Sequence, residues 1–281
     1  MRNVCFKAAA LILIITIISY MTVPALAEEA PQPRICNTSE ELVEYVMRLA
    51  GEREAHISVT IPKTLPEADM GGVELLQKIL SQDSGYIRWG RQGGAVTKTL
   101  KKDSVTFKYT LTYRTTREQD DAARKIAAGI AAKWELKNLS DREKMGILKS
   151  YISKNWRYDN SLKNMTAYAA LTDGKATCLG FAMASQLLLN EMGIVSQTVH
   201  GTIVQTNTLH IRLIVKLGDL WYTFDPTTLA KENPDLSTYL NDNHGKEFVP
   251  DSEYTTAAFR QTFPMTRDDL GAEKAETANA A

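Results

Sequence analysis

The chain has 281 residues, 44% of them hydrophobic, and 33 basic against 33 acidic side chains give no formal net charge. That composition suits a globular protein with an ordinary core. It excludes a nucleic-acid binder working through a basic surface, because Lys and Arg are neither in excess nor clustered.

The first segment reads as a targeting signal. Arg2 and Lys7 give a positive start, Ala8 to Ile18 is apolar, and Pro24-Ala25-Leu26-Ala27 supplies the small residues a signal peptidase reads. This predicts a signal peptide over 1–27, cleaved after Ala27, and a secreted or extracytoplasmic protein. An uncleaved anchor is the alternative, and membrane contact is expected only through this segment. The run to Val23 is short for a span and carries Thr16, Ser19, Tyr20 and Thr22. Loss of Arg2 and Lys7 leaves 31 basic and 33 acidic residues, a charge of −2. Cys36 and Cys178 remain. They could pair in an oxidising compartment. The favoured expectation is that they do not, because Cys36 sits in a Pro-rich stretch (Pro31, Pro33) beside the processed end, whereas a staple joins folded elements.

Residues 28–37 read as a linker. Thr38-Ser39-Glu40-Glu41 has capping-box spacing and opens a helix to about Ala50. His56 to Ile61 alternates as a strand, and a helix is predicted from about Glu67 to Leu80. Tyr86 to Trp89 and Val105 to Tyr113 read as further strands. Together these make a small α+β N-terminal domain over 38–114, in which the lone His56 is a strand residue and not a ligand.

A second domain is expected over 115–264. Its first helix follows Thr115-Thr116-Arg117-Glu118 and runs through Ile126, Ile130 and Trp134. The next opens on the capping box Ser140-Asp141-Arg142-Glu143 and puts Met145, Leu148, Ile152 and Trp156 on one core-facing side. Tyr158 to Asp173 reads as a polar loop. A third helix is predicted from Cys178 to Met192, stopped by Gly193. Strands follow over Ser196–Val204, Leu209–Lys216 and Leu220–Asp225. Residues 265–281 read as a disordered tail.

Cys178, His210 and Asp225 are the candidate catalytic residues: a thiol nucleophile, an imidazole base and a carboxylate that orients it. A helix start favours a thiolate, through free N–H groups and the helix dipole. Gly174 and Gly180 flank the turn and would permit close approach of a substrate amide, and the Cys178 N–H is a natural oxyanion donor. With Gly218-Asp219 as the turn, Arg212 lies opposite Asp225 and His210 is its diagonal neighbour. With Leu217-Gly218, His210 lies directly opposite. A three-residue loop could send them to opposite faces. Leu209, Ile211, Leu213 and Val215 would face the core, leaving His210 with Arg212 on an accessible face. Taken singly, each residue has an ordinary structural reading, and spacing alone does not bring Cys178 to His210. A metal site is disfavoured, because Cys178, His200, His210 and His244 lack ligand spacing.

Several linked motifs resemble the transglutaminase-like superfamily, relatives of papain-type cysteine proteases. They are Tyr151-Ile152-Ser153-Lys154-Asn155-Trp156-Arg157-Tyr158-Asp159, Ala167-Tyr168-Ala169-Ala170-Leu171, Gly174 to Ala182, and Gly218 to Thr227. Leu111 to Gln119 is similar to the lead-in of secreted bacterial members. The resemblance implies an α+β fold: a papain-like transglutaminase core, with the Cys-bearing helix against an antiparallel sheet, preceded here by the small α+β N-terminal unit. It implies Cys178 as nucleophile, His210 as base and later acid, and Asp225 as orienter. No cofactor is expected. One departure is that Ile211-Arg212-Leu213 follows His210, where the family often has Ala-Trp-Asn. The expected function is an exported amide-bond enzyme, a protease, amidase or transglutaminase, acting on protein or peptide substrates of the cell surface or wall. The competing expectation is a non-catalytic extracytoplasmic binding module with the same fold.

Overall fold

The computed structural model describes residues 32–204, 206–230 and 248–269. The predicted signal peptide, His244 and residues 270–281 of the predicted tail lie outside the described residues.

Strand β1 (Arg34–Ile35) lies parallel to β2 (His56–Pro62), with Arg34 opposite Val59. The Cys36 N–H donates to the Thr60 carbonyl at 2.9 Å, and the Cys36 side chain is buried. The stretch read as a linker is thus tied to the sheet before it reaches Thr38. Helix α1 (Ser39–Gly51) is capped by Thr38, whose hydroxyl accepts from the Glu41 N–H, and it buries Leu42, Val46 and Ala50.

The helix expected from Glu67 is broken. A 3-10 turn (Pro66–Ala68) precedes α2 (Gly72–Leu80). At the break the chain passes so close to Val96 that a Cβ on Gly72 would sit 2.6 Å from its Cγ2. Tyr86–Gly90 is a short helix, α3, and not a strand. The Asp83 carboxylate accepts from the N–H groups of Gly85 and Ile87 and starts that turn locally, which strand-like residue types do not reveal. The strand that completes this sheet is β3 (Arg91–Leu100), antiparallel to β4 (Ser104–Tyr113). Its Gln-Gly-Gly start and scant burial left no alternation to read. The order is β1-β2-β4-β3, over a core that includes Leu42, Ile57, Leu75, Ile79 and Phe107.

Two capped helices follow, α4 (Arg117–Ala131) and α5 (Asp141–Asn155), each with a full capping box. The pair β5 (Arg157–Tyr158) and β6 (Lys175–Ala176) brackets α6 (Ala167–Asp173), a helix inside the stretch read as loop. Thr166 caps it by accepting from the Ala169 N–H. At seven residues it is too short for periodicity to reveal. Helix α7 (Cys178–Glu191) is buried on nearly every side. It packs against a sheet built from β7 (Ser196–Ile203), β8 (Thr208–Leu217) and β9 (Leu220–Phe224). Strand β10 (Phe248–Pro250) adds antiparallel to β7. Helix α8 (Ala257–Thr262) follows, and β11 (Met265–Asp269) adds parallel to β9. The order is β10-β7-β8-β9-β11. Met265–Asp269, read as the start of a disordered tail, is therefore a strand. No helix among the described residues is long and apolar enough to cross a membrane.

A second core joins α5, α7 and this sheet. Trp156 at the end of α5 stacks on Phe181 in the first turns of α7, with centroids 4.9 Å apart and rings 5° from parallel. The two cores are linked by a buried polar cluster on Asp120 of α4. Arg53 donates to it at 3.0 Å, Tyr86 at 2.7 Å and Arg124 at 3.2 Å. The Arg53 and Asp120 side chains are 2% and 4% exposed, so each charge depends on the other. Asp120→Ala strands a buried guanidinium and is expected to cost about 3–5 kcal/mol, read as a lowered urea midpoint.

Candidate active site

Hairpin register places the imidazole. Leu217 pairs with Leu220 and Lys216 with Trp221, so Gly218-Asp219 is the two-residue turn. Gly218 takes φ +62°, which such a turn requires. Leu213 pairs with Phe224, and Asp225 follows at the strand end. His210 is thus diagonal to Asp225, on the same face. Its Nε2 lies 2.6 Å from Asp225 Oδ2. The other oxygen, Oδ1, accepts from the Thr227 N–H at 2.9 Å. Asp225 is also the cap of the 3-10 turn Pro226–Leu229, so its turn-starting and imidazole-holding roles coincide.

The face carrying His210 is not open. The side chain is 2% exposed. Phe248 on β10 stands edge-on to the imidazole at 6.0 Å, and the Arg212 guanidinium lies 4.0 Å over the same phenyl ring. Ile214, two residues further along that face, is buried with Val199 and Trp221. Leu209, expected to face the core, is 67% exposed, while His210 is buried. The accessible-face expectation failed because β10 returns from a distant part of the chain.

Burial disfavours an imidazolium at His210. The Asp225 carboxylate outweighs it through charge and hydrogen bonding, and a hydrogen bond with the Cys178 side chain adds to this, raising the His210 pKa to about 10. For Asp225, burial works against ionisation. The charge and hydrogen bond of His210, the Thr227 N–H and the Arg212 charge overcome it and hold the carboxyl below its ordinary range.

Cys178 is the first residue of α7 and is half-buried with a free thiol. The capping residue Thr177 makes no side-chain bond to the helix. Cys36 is buried in the other core. The Cys turn is braced from its own chain. The Thr177 N–H donates to the Asn164 carbonyl at 2.8 Å, and the Asp159 N–H to the Ala176 carbonyl at 2.9 Å. A Cβ on Gly180 would lie 2.9 Å from the Thr166 carbonyl, and one on Gly174 would lie 2.5 Å from that of Asn155. These glycines admit neighbouring backbone, not a substrate amide. The Asp159 carboxylate accepts from Ser161, Lys163 and Asn164 and holds the bracing loop. The Ser161 hydroxyl leads, against an opposing burial effect, in depressing its pKa to about 2.

Sequence reasoning missed Tyr158. It pairs with Ala176, two residues before Cys178, and the Cys178 backbone hydrogen-bonds to its hydroxyl. Burial first, then the charges of Cys178, Asp225 and Asp159, raise its pKa above the ordinary tyrosine range, so the phenol keeps its proton. Its signal was its place in Trp156-Arg157-Tyr158-Asp159. The pairing that brings it to the thiol joins residues 18 apart and leaves no local trace. His200 stands apart from the three. Its Nδ1 lies 2.7 Å from Asp251 Oδ2, and its ring stacks on Trp89. A cavity of about 440 Å³ lined by Asp83, Arg124, Gln186 and Asn190 carries none of these residues.

The transglutaminase-like superfamily model matches residues 124–226. That segment holds Cys178, His210 and Asp225. The mixed α+β architecture, with a Cys-bearing helix against a mostly antiparallel sheet, agrees with a transglutaminase-like, papain-like core. No curated protein matches the chain. Among solved structures, one described as a TGase is 15% identical with a TM-score of 0.35, covering 69% of this chain and 59% of its own. A candidate cysteine protease from Cytophaga hutchinsonii is 14% identical with a TM-score of 0.36, covering 56% and 65%. A candidate protease from Parabacteroides distasonis is 10% identical with a TM-score of 0.28, covering 60% and 39%. The chain thus spans less than two thirds of each.

The buried pair makes stability depend on pH. His210 has a raised folded pKa, so its contribution is complete below the unfolded imidazole value of about 6.5. It fades as pH rises through about 10. Asp225 contributes above the ordinary carboxyl value of about 3.9. The gap in urea midpoint between the protein and Asp225→Asn is expected to be widest near pH 5.5 and to narrow steadily towards pH 10. A gap independent of pH would refute the ion pair.

Proposed function

We propose that the protein is an exported cysteine-dependent enzyme that cleaves or transfers acyl groups at amide bonds of proteins or peptides, at the cell surface or wall. The observation that carries this reading is the continuous line from Asp225 through the His210 imidazole to the Cys178 thiol, with the Tyr158 hydroxyl at the Cys178 N–H.

In this scheme the thiol proton already rests on His210 as an imidazolium held by Asp225, and the Cys178 sulfur attacks the amide carbonyl carbon. The C–S bond forms as the carbonyl π pair moves to oxygen. The Tyr158 hydroxyl donates to that oxyanion, and the Cys178 N–H, which donates to this hydroxyl in the free protein, turns to the oxyanion beside it. The oxyanion then collapses, the C–N bond breaks, and the imidazolium protonates the leaving amine, giving a thioester. Water, deprotonated by His210, attacks the thioester; the C–S bond breaks and the thiol regains the proton. A lysine amine in place of water would make the reaction a transamidation. Hydrolysis is favoured, since water is abundant and no acidic cluster that would guide an amine is evident in the sequence. Asp225 keeps the imidazole oriented and offsets its charge. The scheme calls on no cofactor.

Two measurements separate the roles. Cys178 alkylation by iodoacetamide, read by mass spectrometry on its peptide, is expected to be fast below pH 8 and about 10²-fold slower in His210→Ala. Equal rates would sink the thiol–imidazole assignment. Tyr158→Phe is expected to alkylate normally, because that reaction forms no oxyanion, yet to be acylated by p-nitrophenyl acetate about 10²-fold more slowly. Equal loss in both reactions would make Tyr158 structural only.

A further inference from the structure

Arg114 is a half-buried cation with no anion beside it among the described residues. It follows β4 directly, and its backbone N–H donates to the Gly90 carbonyl at 3.0 Å. Its Nε donates to the Trp89 carbonyl at 3.3 Å and its Nη1 to the Met165 sulfur at 3.3 Å. A thioether is a weak acceptor, and a guanidinium is built to grip two oxygens at once. Arg53 and Arg124 pair with Asp120, and Arg88 pairs with Glu253. Asp251 is held by His200. Among the described residues no carboxylate pairs with Arg114, and burial alone lowers its pKa with no charge opposing it.

Its place in the chain gives the vacancy meaning. Met165 lies between Asn164, whose carbonyl accepts from Thr177, and Thr166, whose backbone packs on Gly180. Thr177 and Gly180 flank Cys178. The guanidinium therefore rests on the residue between the two that brace the nucleophile's turn. Half-burying an arginine there with only neutral partners costs stability, and a substrate carboxylate would recover it.

We propose that Arg114 selects the substrate, by receiving a carboxylate that the substrate carries close to the amide bond attacked by Cys178. The proposal rests on the thiol-enzyme reading above and names its substrate class: acidic peptides, with either a free C-terminal carboxylate or an Asp or Glu side chain beside the reacting bond. Neutral and basic sequences are poor substrates.

The test uses the reduced full-length protein and three thiol reagents: bromoacetyl-alanine with a free carboxylate, bromoacetyl-alanine amide, and bromoacetyl-aspartate amide. Rates at Cys178 are read by mass spectrometry at low salt in the protein, in Arg114→Met and in Arg114→Lys. The quantity compared is the ratio of carboxylate to neutral reagent within each protein, which cancels changes in thiol reactivity. A ratio of about 10 that falls at least threefold in Arg114→Met, and less in Arg114→Lys, supports the proposal. A preference for free alanine identifies a chain terminus, and one for aspartate amide a side chain. A ratio unchanged by Arg114→Met overturns it. Should that variant not fold, Arg114→Lys decides: loss of the two-pronged grip must lower the ratio, and an unchanged ratio overturns the proposal. The ratios are repeated at pH 9.5, where an ordinary thiol also reacts. Slow labelling at pH 7 with every reagent would thus count against the thiol-enzyme reading alone, while the Arg114 ratio is still measured.

Discussion

The 2.6 Å contact between His210 Nε2 and Asp225 Oδ2 is what the rest of this site depends on. Each group is buried, and burial alone would neutralise either. Together they hold an imidazolium and a carboxylate in a place where neither survives singly. Such a pair tolerates little displacement, and its geometry is set by one two-residue turn. Side chains alternate along a strand, so one extra residue between Leu217 and Leu220 would carry Asp225 to the opposite face. The turn at Gly218 is therefore part of the site, although it touches none of the reacting groups.

The thiol is held by different physics. Helix α7 is apolar almost all round, so its orientation is fixed by packing on every side and not by one greasy stripe. Trp156 stacked on Phe181 locks its first turns to α5, and Gly180 lets the backbone of Thr166 press against it. What is left open is the tip. Thr177 withholds its hydroxyl from the helix, and the Cys178 N–H is met instead by the Tyr158 phenol.

Legibility in the sequence divides along these lines. Helices α1, α4 and α5 announce themselves through capping boxes, and β4 through alternation, because those signals are local. The three residues of the thiol–imidazole–carboxylate line were named from motif order and context. What the sequence hid is non-local or too short. Helix α6 has seven residues. Helix α3 is started by an aspartate three residues upstream of its first residue. Strand β10 joins the sheet after a long excursion, and with it comes Phe248, which closes the face of His210 that alternation alone had left open. Tyr158 reaches Cys178 only through a two-strand pairing with nothing in the local pattern to mark it.

The matched segment, 124–226, contains every group that the proposed chemistry uses, but not the surroundings that would choose a substrate. Trp89 and Arg114 lie before it, and Phe248 and Asp251 after it. The N-terminal unit is not a loose appendage, because Tyr86 packs in the second core while its hydroxyl binds Asp120 between Arg53 and Arg124. That buried cluster fixes α3 against α4, and α3 in turn supplies the Trp89 carbonyl that aims Arg114. The same polar anchor that ties the two cores together thus also sets the position of a cation next to the braces of Cys178. On the proposed reading, changes in the N-terminal unit would alter which substrate is accepted without disturbing the line from Asp225 to Cys178, separating reactivity from selectivity.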